Sequence, residues 1–201
     1  HVNTMATAVT HFFGKYPPSQ MKPGDVYITN DPWLGTGHLF DYVMMTPVFL
    51  KGKLVAFFAS TCHVIDVGGV GMTAKGNSSF EEGTLVPHLP IRKAGKLNEE
   101  LMDVILANSR SPVEVRGDIL SLISANDTGA RRLISMMEEF GLTSIDKLAK
   151  HILTQSERGA REAIRALPEG EWTYEMPLDG YERPLLLKCK LIIRDGKITI
   201  D

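Results

Sequence analysis

Two cysteines in 201 residues, Cys62 and Cys189, are too few for a disulfide scaffold, so a reducing cytoplasm is the expected setting. No run of about 18 apolar residues occurs, and no segment reads as membrane-spanning. No sign of charge dominates. The count is 22 basic against 24 acidic residues, a net of −2, so nothing announces nucleic acid or an anionic membrane. Nucleotide loops are missing as well. Lys75 has no glycine before it and no serine or threonine after it. Gly69 to Ala74 fits G-x-G-x-x-A, but Lys75-Gly76-Asn77-Ser78-Ser79 does not open the helix a dinucleotide fold needs. There is no G-x-S-x-G elbow, no repeat of 20–50 residues and no low-complexity segment.

What remains is ordinary globular material. Apolar residues make up 43% and charged residues 23%. A chain of this length buries about 70% of its unfolded surface. It opens on His1 without a secretory core and stops at Ile198-Thr199-Ile200-Asp201, inside an apparent strand. A piece of a longer protein is therefore expected.

Residues 3–16 read as a helix capped by Asn3 or Thr4 and stopped by Pro17-Pro18. Asp25 to Thr29 reads as a strand. Asp41–Leu50 and Leu54–Cys62 are β-prone and separated only by Lys51-Gly52-Lys53, which predicts a hairpin buried on both faces. Residues 68–96 show no period. Leu97–Ser109 and Val113–Phe140 read as helices, the second ended by Gly141. A stripe at three- and four-residue spacing follows over 145–167, so these last two helices are expected to pack antiparallel. Strands return from Trp172, with Asp195-Gly196 as a hairpin turn. The expectation is an α+β fold with a mixed sheet, an antiparallel helical hairpin layer and returning strands. Its regions are 1–96, mostly β with a metal site, 97–167, helical, and 168–201, C-terminal strands.

One pattern carries chemistry. His38-Leu39-Phe40-Asp41 and His63-Val64-Ile65-Asp66 are both H-x-x-D. The hairpin brings them to one end. Register decides which side chains share a face. A two-residue loop pairs Leu50 with Lys53, and so Asp41 with Cys62. A three-residue loop, or a bulge that mimics it, pairs Asp41 with His63, and this is the register expected. Imidazole and carboxylate together suit Zn²⁺, Mn²⁺ or Fe²⁺. Asp66 is a candidate fourth ligand or a group that orients a histidine. The plainer alternative is that the histidines are hydrogen-bonded structural residues. Asp31, in Asn30-Asp31-Pro32, is a candidate to orient a ligand or take a proton, or simply good turn chemistry. Glu81-Glu82 reads as a solvated pair. Cys62 and Cys189 read as packed thiols.

The stretch Gly24 to Asp41, with Asn30-Asp31-Pro32-Trp33-Leu34-Gly35-Thr36-Gly37-His38 at its centre, resembles the hydantoinase B family. The likeness continues through Thr46-Pro47-Val48-Phe49, His63 to Gly69, Glu81-Glu82-Gly83, Asn108-Ser109-Arg110 and Gly117-Asp118-Ile119. That family includes the B-type half of ATP-dependent N-methylhydantoinase, the C-terminal half of 5-oxoprolinase and the corresponding parts of acetone and acetophenone carboxylases. The resemblance implies a divalent metal held by His38, Asp41 and His63. It implies a partner of the hydantoinase A type that binds ATP and phosphorylates a cyclic amide or carbonyl substrate, which this chain then processes. His88 departs from the family, where a second proline commonly follows Pro87. The expected function is the B-type half of a cyclic-amide hydrolase within a hetero-oligomer, with Asp66 supporting and Asp31 in the pocket. The alternatives are a carboxylase subunit and a non-catalytic partner-binding subunit.

Overall fold

The computed structural model describes Thr4–Asp201 apart from Ala74 and Tyr181. The alternative cap Asn3 and the last residue of the Gly69–Ala74 pattern lie outside the described residues. Contacts divide the chain into two compact units, the first running to Ser144 and the second Ile145–Asp201.

The first unit opens with α1 (Thr4–Lys15), β1 (Val26–Thr29), β2 (Asp41–Leu50) and β3 (Lys53–His63). It continues with α2 (Ser79–Glu82), β4 (Leu89–Lys93), β5 (Lys96–Leu97), α3 (Glu99–Ala107) and α4 (Pro112–Glu139). The strands form one sheet in the order β3-β2-β1-β4-β5. Its pairings are antiparallel, which corrects the expected mixed sheet. No crossover helix here delivers the chain to a parallel neighbour.

Period-two alternation sorts the strand residues to two faces. Tyr27, Val43 and Met45 join Ala8 and Phe12 of α1 in one cluster. Val26, Ile28, Tyr42 and Met44 join Met102, Ile105, Val115, Ile119 and Ile123 of α3 and α4 in the other. Both faces of β2 are thus buried, as its continuous apolar run predicts. β3 is only half-buried because it is the sheet edge. α4 approaches β3 so closely that a Cβ on Gly129 would fall 2.3 Å from the Phe58 ring. Asn126 of α4, itself buried, donates to Thr46 Oγ1 at 3.2 Å.

β4 falls inside the stretch that shows no period. Pro90, which reads as a breaker, sits where pairing with β1 slips: Val26 faces Arg92, yet Tyr27 faces Pro90. A bulge accommodates a residue without an N–H.

A second bulge sets the site. Lys51 (φ 50°) and Gly52 (φ 81°) form a two-residue turn, and Leu50 faces Lys53. That register alone would carry Asp41 to Cys62. Between Phe49↔Leu54 and Val48↔Ala56 the ladder slips by one, leaving Val55 unpaired. Beyond the slip, Asp41 faces His63.

The second unit holds α5 (Asp146–Arg165), β6 (Gly170–Leu178), β7 (Leu185–Arg194) and β8 (Lys197–Ile200). The three strands form an antiparallel sheet, β7 in the middle. Asp195 (φ 52°) and Gly196 (φ 68°) make the expected turn. One face carries Trp172, Tyr174, Met176, Leu178 and their partners Leu191, Cys189, Leu187 and Leu185. The other is laced by Lys188–Glu175 at 3.0 Å and Lys190–Glu171 at 2.8 Å. α5 buries no residue, and Leu148, Ile152 and Leu153 are exposed. Cys189 is exposed rather than packed, because the apolar face of this sheet is largely open. Cys62 is half-buried against the first unit's core, and both thiols are free. No helix among the described residues is long and apolar enough to cross a membrane.

Candidate metal centre

The segment between β1 and β2 begins at Asn30, which is fully buried. Its Nδ2 donates to Leu39 O at 2.8 Å and Thr84 O at 3.0 Å, and its Oδ1 accepts from Val86 N at 2.6 Å. One side chain thus ties the start of the loop to its end and to an extended segment more than 50 residues away. Asp31 Oδ1 accepts from Trp33 N at 2.9 Å and Leu34 N at 3.1 Å, an Asx turn within the loop. Gly35 is pressed on the same turn: a Cβ there would meet Asp31 O at 2.5 Å. His11 Nδ1 lies 2.8 Å from Leu34 O, joining α1 to the loop.

Leu39 and Phe40 are buried and anchor the loop's end. His38 precedes them on the outside, and Asp41 N donates to His38 O at 3.2 Å. This turn brings His38 Nδ1 to 3.3 Å from Asp41 Oδ2. From the partner strand, His63 Nδ1 lies 2.8 Å from Asp41 Oδ1. Thr36 Oγ1 donates to Asp41 Oδ2 at 2.9 Å. Phe40 stacks on the His63 ring, centroids 5.3 Å apart and planes 15° from parallel. The Asp41 side chain is 15% exposed, against 60% for His38 and 45% for His63. Both imidazoles therefore present an open side to solvent.

Donor atoms of His38, Asp41 and His63 all lie within 4.8 Å of one another. Ligands bound at about 2.1 Å in a tetrahedron stand roughly 3.4 Å apart, so the spacing fits a small ion with little rearrangement. Two imidazoles and one carboxylate suit zinc, manganese or iron and leave positions for water or substrate.

Asp66 does not join this cluster. It is buried, and its carboxylate accepts from Arg110 through the guanidinium and the backbone N–H, from Ser109 Oγ at 3.2 Å and from Gly68 N at 3.2 Å. The hydrogen bonds from the Arg110 side chain hold it well below the usual carboxylate range, against the opposing effect of burial. Two backbone bonds extend this anchor. Val70 N donates to Glu81 O and Thr84 N to Val67 O, both at 2.8 Å. The glycine run 68–69 is there for close packing: a Cβ on Gly69 would fall 2.3 Å from Glu81 O. Cys62, half-buried and with its thiol pushed up by burial, donates to His63 O at 3.4 Å and is no activated nucleophile.

Sequence reasoning did not single out Asn30, Thr36 or Arg110 for these duties. Arg110 and Asn30 stand in the stretches that carry the family likeness, but neither their partners nor their burial is local to the chain.

An α+β fold of antiparallel sheets, with a His–Asp–His cluster at the open end of a bulged hairpin, describes a candidate metal centre. The family is narrower than that. The model of the family described as hydantoinase B/oxoprolinase matches residues 1–201, and the chain belongs to that family. Among curated relatives, the B-type component of a putative D-/L-hydantoinase from Pseudomonas sp. (strain NS671) is 33% identical over 189 residues, 89% of this chain and 32% of that protein. The crystal structure of ATP-dependent caprolactamase from Pseudomonas jessenii superposes with a TM-score of 0.90 at 24% identity, over all of this chain and 35% of the other. Nucleotide-free acetone carboxylase follows with a TM-score of 0.84 at 20% identity, over all of this chain and 29% of the other. The chain thus spans about a third of the length of these relatives.

Proposed function

We propose that this chain belongs to the metal-dependent, B-type half of an ATP-dependent cyclic-amide hydrolase, with His38, Asp41 and His63 holding a divalent ion. The observation that carries the reading is the shared carboxylate of Asp41, with one imidazole Nδ1 at each oxygen, 2.8 Å and 3.3 Å away. Bound there, a divalent ion supplies a Lewis acid for a carbonyl or imidate oxygen and lowers the pKa of a coordinated water. Asp41 fixes both imidazoles at once. Thr36 fixes Asp41 in turn, and Phe40 sets the plane of His63. The open sides of His38 and His63 admit substrate. Asp31 shapes the loop that delivers His38, and Asp66 locks the chain leaving His63. An ATP-binding partner of the hydantoinase A type supplies the activated substrate, in keeping with the ATP dependence of the caprolactamase and with the lack of a nucleotide loop here.

Metal analysis of dialysed protein tests this. Wild type is expected to hold about one equivalent of zinc, manganese or iron, and His38→Ala and His63→Ala to hold none. Retained metal in both variants overturns the ligand assignment. Assay with the ATP-binding partner then separates ring opening from carboxylation, the reading that a carboxylase subunit would require.

A further inference from the structure

His88 is buried, 6% exposed, and its Nε2 is the one buried side-chain polar atom without a hydrogen-bond partner among the described residues. Buried polar atoms are nearly always paired, which sets this nitrogen apart. The ring makes a T-shaped contact with Phe12 of α1, centroids 4.3 Å apart and planes at 80°. The backbone of the same residue holds the same helix end. Its carbonyl accepts from Lys15 Nζ at 2.9 Å and from the Tyr16 hydroxyl at 3.4 Å. Two residues earlier, Val86 is bonded to Asn30 and Thr29, so residue 88 is fixed to the sheet. Beside its apolar packing on Tyr27, Val43 and Met45, α1 is thus fastened through one residue, by ring and carbonyl together.

Few charged or titratable groups face the ring. Asp31 comes from the loop after β1, and His11 and Lys15 come from α1. Burial is the largest influence and pushes the imidazole below its ordinary value; Asp31 opposes this, and His11 and Lys15 add to it. A neutral imidazole leaves a lone pair at Nε2. Protonation makes both ring nitrogens donors, which puts a charge and an N–H at an atom that has no acceptor. The charged ring is then better solvated away from Phe12. α1 carries the effect onward. His11 Nδ1 lies 2.8 Å from Leu34 O, so a loosened α1 also loosens the loop that delivers His38.

We propose that α1 is an acid-released clasp on the loop that carries His38, and that His88 is its trigger. Neutral, the ring seats against Phe12; protonated, it leaves, and α1 opens locally. The inference does not need a metal at His38, Asp41 and His63. The open state binds the proton more tightly than the seated one. The clasp is therefore fully held above the open-state value of about 6.5, and its hold is lost as pH falls from there towards the lower seated value.

Amide hydrogen exchange of the full-length protein, with a chelator present so that metal ligation plays no part, tests it. Rates are read by mass spectrometry at about pH 7.5 and about pH 5.5 and corrected for intrinsic exchange. Protection of residues 4–15 is expected to be up to about tenfold lower at the acid value, the ratio for one histidine that titrates near 6.5 when open. His88→Leu and His88→Gln are each expected to abolish that dependence, and His11→Asn to keep it. Exchange at the imidazole Cε1 hydrogen of wild type reads each histidine separately and needs no variant to fold. The midpoint of His88 is expected below the ordinary value of about 6.5. Protection that does not change with pH in wild type overturns the proposal. So does a dependence that survives in a folded His88 variant or vanishes in His11→Asn, or a His88 midpoint at or above the ordinary value.

Discussion

The chain contains H-x-x-D twice, and the two copies end in opposite electrostatic situations. In the first, a tight turn places His38 over Asp41, and a hairpin partner adds His63. In the second, His63 is the last residue of a strand, while Asp66 turns inward to Arg110 and Ser109. Asp41 has two titratable imidazoles for neighbours and an open side. Asp66 has a permanent cation, two backbone N–H groups and a hydroxyl. Equal spacing therefore says little about equal role. What decides is whether the carboxylate's lone pairs are already satisfied by groups that cannot be exchanged for an ion.

The comparison breaks most sharply at the hairpin register. Inserting one alanine between Ala59 and Ser60 is expected to leave the Lys51-Gly52 turn and the slip at Val55 intact but bring Asp41 opposite Cys62. His63 then points to the other face, and metal affinity is expected to fall by at least about a hundredfold, more than loss of an orienting partner costs. Titration with Zn²⁺ against a competing chelator reads this, with circular dichroism as the check that the fold persists.

Asp66→Asn is expected to act on stability instead. Losing charge-assisted bonds to backbone N–H and hydroxyl donors costs about 1–3 kcal/mol, and solvent around the exposed Arg110 keeps the figure in the lower part of that range. Urea unfolding measures it, and metal content is expected to stay near that of wild type. The sign with pH follows from the depressed folded-state pKa of Asp66. Its stabilisation is fully present above the unfolded value of about 3.9 and is lost as pH falls through the lower folded value. The gap between wild type and Asp66→Asn should therefore be constant at neutral pH and close in acid. A gap that widens in acid refutes the linkage.

The smallest effect is reserved for Thr36→Val, which removes the bond to Asp41 Oδ2 and keeps the shape. About tenfold weaker metal binding is expected, at the low end for a group that orients a ligand. No change would mean that the two imidazoles hold Asp41 by themselves.

Much of this was legible from residue order. The apolar runs of β2 and β3, the short turn between them and the two histidines made the hairpin end the place to look. The antiparallel helical pairing expected for 113–140 and 145–167 spans the two units, and α4 is engaged with the sheet of its own unit. The strand at Leu89–Lys93 was hidden by Pro90, whose tolerance depends on a bulge in the pairing with β1. The slip at Val55 has no local signature, since β3 is apolar on both sides of it and half-buried throughout that stretch, so no alternation is there for one unpaired residue to break. Asp66 misleads for a related reason. Its cation stands 44 positions later, and a four-residue motif holds no information about it.

Asn30 imposes an order on how the molecule comes together. Its carboxamide joins Leu39 to Thr84 and Val86, so the loop that delivers His38 is not closed until residue 86 has been synthesised and has docked. The hairpin can zip from its turn on a timescale of microseconds, yet the loop must wait for a contact across 56 residues. Nascent or proteolysed chains ending before Thr84 are then expected to contain β2 and β3 paired but His38 loose. In the 201-residue chain, protection of the Asn30 carboxamide from hydrogen exchange becomes a late clock for assembly of the site.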